Sequence, residues 1–261
     1  MRTARSIGPR TFLRRPGDRV LSLVRSSPTA GRILLYHEID DVGSGSAVQR
    51  VSPVRFSEHL RWLRELGLRG GSVASVREER APASLVALSF DDGYASAGRA
   101  CSELLGAGWS ATLYVCPAWV EERRPALLAW KDVRELSAAG VEIGAHGLAH
   151  ERLCGPNVVR LTTLLTEARQ RIEQAIGLAV RGLAYPEGLA SVAARRAARA
   201  AGYAYACSTI PGRNDARTDR YRLRRNEVHD TDDRRLLIGK LAGADDWMAP
   251  VRTLENGWRC R

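Results

Sequence analysis

The 261-residue chain reads as one α/β domain built on a parallel sheet. Short apolar runs alternate with amphipathic helical segments from Arg32 onward, and a glycine closes most of the helices. Residues able to do chemistry stand at the ends of several of those runs, where sites in parallel α/β sheets gather. Periodicity alone leaves open whether the sheet closes into a barrel or stays open. A hydrophobic content of 44% and a charged content of 26% are globular values, and the length suffices for a substantial core.

Residues 1–31 form a basic arm whose apolar letters are interrupted by Arg, Asp, Gly and Pro. It lacks the apolar core of a secretory signal, and no stretch of the chain approaches the ~20 apolar residues of a membrane span. The expected location is therefore cytoplasmic, with the arm a candidate for peripheral contact with a membrane. The domain itself is assigned to residues 32–261, with no composition shift, repeat or low-complexity block to divide it.

RILLYHEI predicts a strand ending at His37 and Glu38, followed by a DDVGSGSA loop. SPVRFSEHLRWLRELG predicts a helix: Ser52 caps it, Pro53 opens it, and Phe56, Leu60, Leu63 and Leu66 share a face. SLVALSF is a strand, AGRACSELLGAG a helix closed by Gly108, SATLYVC a strand, and AWKDVRELSAAG a helix closed by Gly140. VEIGAH is a strand, and the segment from Asn157 to Gly177 is a long helix. RGLAYP, the Ala/Arg-rich helix LASVAARRAARAAG, and YAYACST follow. A strand near YRLRRNEV and a last helix near DRRLLIGKLAG complete the domain.

A net charge of +11 invites a nucleic-acid or anionic-surface reading. Only Lys131 and Lys240 of the 40 basic residues are lysines, and the arginines are spread over helical faces instead of forming an aromatic-interleaved patch. Coding bias explains that ratio better than nucleic-acid binding does, and no nucleic acid is expected as a partner. The five cysteines, Cys101, Cys116, Cys154, Cys207 and Cys260, are odd in number and contain no CxxC pair. They predict reduced, mostly buried thiols and neither a disulfide framework nor a thiolate zinc site.

The chemistry concentrates at three strand ends. SLVALSF ends at Asp91–Asp92, VEIGAH ends at His146, and ILLYH ends at His37. His150 follows His146 by four residues, a spacing that puts both imidazoles on one face of a helical turn. A carboxylate from a neighbouring strand end would complete a two-His-one-carboxylate site with positions open to water and substrate.

LSFDDGYAS, EIGAHGLAH and AYPEG, in that order, resemble the first three motifs of the polysaccharide deacetylase family, the nodulation-type carbohydrate esterases of family four. ILLYHEI and YRLRRNEV resemble a branch of it, and the likeness runs from about Arg32 to Trp247. The resemblance implies a distorted (β/α) barrel and a divalent metal, usually zinc and sometimes cobalt or nickel. The implied reaction removes acetyl groups from N-acetylated sugars, or less often O-acetyl groups from xylan.

Position by position, the resemblance makes Asp91 the general base and Asp92, His146 and His150 the metal ligands. Physical reasoning agrees, because a base must reach the water to be activated without itself occupying a coordination position. Glu187 stands where the family usually has Tyr, at a position whose backbone N–H holds the oxyanion. Many members have an Arg that holds the base just before that segment, where this chain has Ala184. Arg225 is the substitute expected here, with Arg181 its rival. His229, downstream of His150, is implied as the general acid, and Gly147 replaces a hydroxyl residue that would support the loop.

His37 is expected to line the pocket or polarise the substrate. Tyr185, Trp119 and Trp130 lie near strand ends and could stack on a sugar or belong to the core. Trp247 is further away, and His59 is read as structural. Two alternatives to an N-deacetylase are an O-acetyl esterase and a catalytically silent glycan-binding relative.

Overall fold

The computed structural model describes residues 31–41, 49–78 and 82–260. The basic arm, apart from Gly31, lies outside them. Among the described residues ten strands form: β1 (Ile33–Tyr36), β2 (Glu38–Ile39), β3 (Arg50–Val51), β4 (Arg69–Gly71), β5 (Leu85–Phe90), β6 (Thr112–Val115), β7 (Glu142–Ala145), β8 (Gly182–Ala184), β9 (Tyr205–Cys207) and β10 (Asn226–Glu227). Between and after them run α1 (Pro53–Glu65), α2 (Val73–Val76), α3 (Ala95–Gly106), α4 (Pro117–Glu121), α5 (Trp130–Ala138), α6 (Val158–Ile176), α7 (Val192–Ala200), α8 (Arg234–Ala242) and α9 (Ala249–Arg259).

The main sheet is parallel throughout, in the order β10-β1-β5-β6-β7-β8-β9, with β4 on the first half of β5. It curls until its two edges meet at an isolated bridge between Cys207 and Leu223, just upstream of β10. The result is a distorted (β/α) barrel in one domain, which settles the choice the periodicity left open.

Local chemistry accounts for the helices. The Ser52 hydroxyl accepts from the Arg55 N–H at 3.3 Å, and Pro53 opens α1, burying Phe56, Leu60 and Leu63. Asn157 caps α6, which buries Leu161, Leu165, Ala168 and Ile172 and ends at Gly177 in the left-handed region. These faces pack with the outward side chains of the strands into the larger core cluster.

A second cluster fills the barrel with Ile33, Ala87, Tyr114, Ala184, Tyr205, Cys207 and Leu223. Gly144 leaves room for it, since a Cβ there would sit 2.4 Å from the Tyr114 ring.

Four differences from the sequence reading emerge. Short β4, α2 and α4 were not anticipated, because pieces of three to five residues carry too little periodicity. Helix α9 extends beyond the expected last helix. The His146–His150 segment is a run of turns instead of a helix. Finally, Cys154 and Cys260 form a disulfide across a separation of 106 residues, correcting the expectation of reduced thiols. Pairing across such a distance is set by tertiary structure, which cysteine spacing does not encode. Cys101, Cys116 and Cys207 are free and buried, as expected.

Candidate metal centre and catalytic base

Strand alternation aims Ala87, Ser89 and Asp91 to the barrel side of β5 and its end. There Asp91 meets Arg225, which stands just before β10. Arg225 Nη1 and Nη2 donate to the two Asp91 carboxylate oxygens, each at 2.7 Å. Its Nε donates to the Ser208 carbonyl at 2.9 Å, and its guanidinium lies 5.6 Å from the centre of the Tyr114 ring. Both residues are buried. Burial alone would raise the Asp91 carboxyl, but the charge and hydrogen bonds of Arg225, with the charges of His146 and His37, outweigh it and hold it at about 2.

Asp92 adopts a left-handed backbone, φ 72°, so its carboxylate diverges from that of Asp91. Asp92 Oδ1 lies 3.3 Å from His146 Nε2 and 3.4 Å from His150 Nε2. This oxygen is buried and accepts no hydrogen bond. His146 Nδ1 donates to the Ala184 carbonyl at 2.9 Å, a bond that requires the proton on Nδ1 and leaves the Nε2 lone pair toward Asp92. One donor atom from each of Asp92, His146 and His150 falls within 4.8 Å of the other two.

An orphaned carboxylate oxygen beside two inward imidazole nitrogens fits a divalent cation. Burial opposes charge on Asp92, while the imidazole of His146 and the charge of His37 hold the carboxyl below its usual range.

The loop carrying the two histidines is built from the backbone up. His146 N–H donates to the Val115 carbonyl at 2.8 Å as β7 ends. Gly147 then turns with φ 72°, and a Cβ there would press on Pro186 Cγ at 3.2 Å and Glu151 Oε2 at 3.3 Å. The Glu151 carboxylate accepts from the N–H groups of Leu148 (3.2 Å) and Ala149 (2.7 Å). It thus gives the loop a support that Gly147 cannot provide. Cys116 Sγ donates to the His146 carbonyl at 2.9 Å.

The Trp119 ring stacks on His150 with centroids 5.0 Å apart and planes at 20°, and Arg124 covers Trp119 at 4.5 Å. Glu151 and Cys116 escaped the sequence reading. Glu151 directly follows His150 and stood there as a signal, whereas nothing in the sequence pointed to Cys116.

The remaining predicted residues divide into those near this cluster and those apart from it. His37 follows β1, where Tyr36 pairs in register with Phe90, so it stands beside the end of β5. Its Nε2 lies 3.4 Å from Gln49 Nε2. Glu187 occupies a turn after β8 with φ 56°, and its carboxylate accepts from Arg152 at 2.8 Å and from Arg259.

Tyr185 is fully buried and donates to the Tyr221 carbonyl at 2.9 Å, so its ring offers no face to a sugar, a correction to its expected substrate role. His229 lies in the loop after β10, its N–H donating to Asp232 at 2.9 Å. Arg181 is exposed at the start of β8, away from the Arg225–Asp91 pair. Trp130 is half-buried against the core, Trp247 is exposed, and His59 is buried in the core.

The fold and this cluster define a parallel barrel with three side chains at its carboxyl end that could hold a metal ion. Residues 78–206, just under half of the chain, match the family model for polysaccharide deacetylases.

Among solved structures, the deacetylase PplD of Streptococcus pyogenes superposes with a TM-score of 0.72 at 21% identity, over 80% of this chain and 97% of that one. A de-N-acetylase of Aggregatibacter actinomycetemcomitans gives 0.70 at 20% identity, over 80% and 98%. IcaB of Ammonifex degensii gives 0.68 at 20% identity, over 81% and 96%. The search of curated proteins found no match.

Proposed function

We propose that the protein is a metal-dependent hydrolase that removes N-acetyl groups from an N-acetylhexosamine-containing carbohydrate, whether polysaccharide, oligosaccharide or sugar precursor. The observation that carries this reading is the division of labour at one strand end. Asp92 joins His146 and His150 in a donor set, while its neighbour Asp91 is withheld from that set by Arg225.

Asp92, His146 and His150 would hold the cation, most favourably zinc given two imidazoles and a carboxylate. When bound, it would polarise the acetyl carbonyl and acidify the adjacent water. Asp91 takes the proton of that water, and Arg225 keeps the carboxylate ionised and fixed in direction. The Glu187 backbone N–H serves the developing oxyanion; its side chain is engaged by Arg152 and Arg259 and is free of that duty. The leaving amine needs a proton. Of the two histidines at hand, His37 stands beside the strand end that carries Asp91 and Asp92, and is assigned this role ahead of His229 in the loop after β10.

Among the described residues no helix is long and apolar enough to cross a membrane. The Cys154–Cys260 disulfide supports an oxidising compartment over the cytoplasm.

Acetate release from N-acetylglucosamine oligomers, lipid-linked sugars and nucleotide sugars, with and without chelator, tests the reading. Chelator-sensitive release from an amide supports it. Release from O-acetyl esters alone points to an esterase, and glycan binding without turnover to a silent relative.

A further inference from the structure

Helix α9 buries almost nothing of itself. Ala249 is buried at its start, but the described residues from Pro250 to Arg259 are all exposed, Val251, Leu254 and Trp258 included. A helix that packs no face on the domain gains little from tertiary contact, so the attachments at its ends decide where it lies. Its far end carries two of them in adjacent residues. Cys260 is bonded to Cys154, and Arg259 Nη2 donates to Glu187 Oε2.

The second attachment falls on a carboxylate that is already engaged. Arg152 Nε donates to Glu187 Oε1 at 2.8 Å, so each oxygen takes one guanidinium. Arg152 stands two residues before Cys154 and Arg259 one before Cys260, so the disulfide joins the two segments that supply the arginines. Exposed ion pairs on their own contribute little, because ordering long side chains offsets the attraction. The covalent bond changes that balance by holding the partners near each other before they pair.

The gripped carboxylate belongs to the turn at the catalytic rim. Glu187 has φ 56°, a left-handed conformation that a non-glycine residue keeps only where its surroundings hold it. The turn is closed by the Gly188 N–H donating to the Tyr185 carbonyl at 2.8 Å and the Leu189 N–H to the Pro186 carbonyl at 3.3 Å. It abuts the metal-site loop, since His146 donates to Ala184 just before it and Pro186 lies against Gly147. That loop has supports of its own in Glu151 and the buried Leu153, whereas the Glu187 side chain is held by the two arginines.

We propose that α9 is a strap: closed by the Cys154–Cys260 bond, it delivers Arg259 to Glu187, and Arg259 with Arg152 fixes the turn whose Glu187 N–H serves the oxyanion. Both arginines are then positioning residues. Their part in the reaction rests on the deacetylase reading, whereas the fastening of the turn does not.

Hydrogen exchange of the Gly188 and Leu189 amides, measured on the full chain, reads the fastening without a substrate. Reduction by dithiothreitol, Cys154→Ser with Cys260→Ser, and Arg259→Ala with the disulfide intact should each speed that exchange about tenfold or more. Arg259→Lys should restore part of the protection. Exchange within β5, and zinc affinity of the variants by calorimetry, should be unchanged. On an N-acetylglucosamine oligomer, the double serine variant and Arg259→Ala should lower kcat about tenfold with KM little changed, the signature of a displaced oxyanion donor.

Unchanged exchange at Gly188 and Leu189 in the reduced protein and in Arg259→Ala would overturn the strap. So would lost zinc affinity or faster exchange in β5, because the bond would then hold the fold as a whole. Faster exchange of the turn with kcat unchanged would overturn the part played in the reaction. A wild type that releases no acetate would contradict the deacetylase reading, and the exchange result would still decide the strap.

Discussion

Arg225 and Asp91, 134 residues apart in sequence, are joined by two 2.7 Å hydrogen bonds inside the barrel, both side chains buried. The buried carboxylate depends on the guanidinium for its charge, whereas the guanidinium also has the Ser208 carbonyl as a partner. Replacing Arg225 by Met should destabilise the protein by about 3–5 kcal/mol, because the carboxylate is left buried and unpaired. Combining Arg225→Met with Asp91→Asn should recover much of that loss, which denaturant melts of the double-mutant cycle would show.

His59 gives a pH dependence independent of the metal centre. It is held neutral in the core, with Nε2 donating to the Asp232 carbonyl at 2.9 Å and Nδ1 taking the Tyr36 hydroxyl at 3.3 Å. Burial depresses its pKa below 6.5, chiefly by desolvation. The unfolded chain therefore binds the proton more readily, and the stability His59 contributes is lost as pH falls below about 6.5. Thermal melts in chelator should show a steeper loss between neutral and mildly acid pH for wild type than for His59→Gln. The metal-site histidines titrate alike in both proteins and cancel from the difference. Parallel curves would contradict this account.

Glu151 is expected to act on metal affinity without touching the cation. Its carboxylate orders the Leu148 and Ala149 amides between the two histidines. Glu151→Ala should weaken zinc binding roughly 10–100-fold, as loss of a supporting shell commonly does. Calorimetric titration of zinc into the stripped protein reads this directly.

The proton donor can be assigned by comparing two substitutions. His37→Gln should lower kcat by about 10²–10⁴ with the substrate's KM little changed, the range for loss of a general acid. His229→Gln should stay within a few-fold of wild type. The reverse order would move the role to His229.

Much of this was readable in the chain. Asp91–Asp92 and the two histidines stand at strand ends, and strand-end position in a parallel sheet is a local pattern that survives folding. The Arg225–Asp91 contact lay at the edge of legibility: family likeness suggested a missing cation, but only the folded sheet, in which β1 pairs with both β10 and β5, brings Arg225 to Asp91. Tyr185 misled because a strand-end aromatic reads the same whether it faces a cleft or, as here, bonds inward to Tyr221. The Cys154–Cys260 bond and the outward face of α9 depend on how distant segments pack. An apolar stripe in sequence says that a face exists, not which way it points.

The central claim is that neighbouring carboxylates have different tasks, and one paired measurement decides it. Zinc binding by calorimetry and acetate release are to be measured on Asp92→Ala and Asp91→Asn. The account predicts that Asp92→Ala loses metal affinity and turnover together, whereas Asp91→Asn keeps the metal and loses turnover. Equal loss of metal in both variants, or full activity in Asp91→Asn, would contradict it.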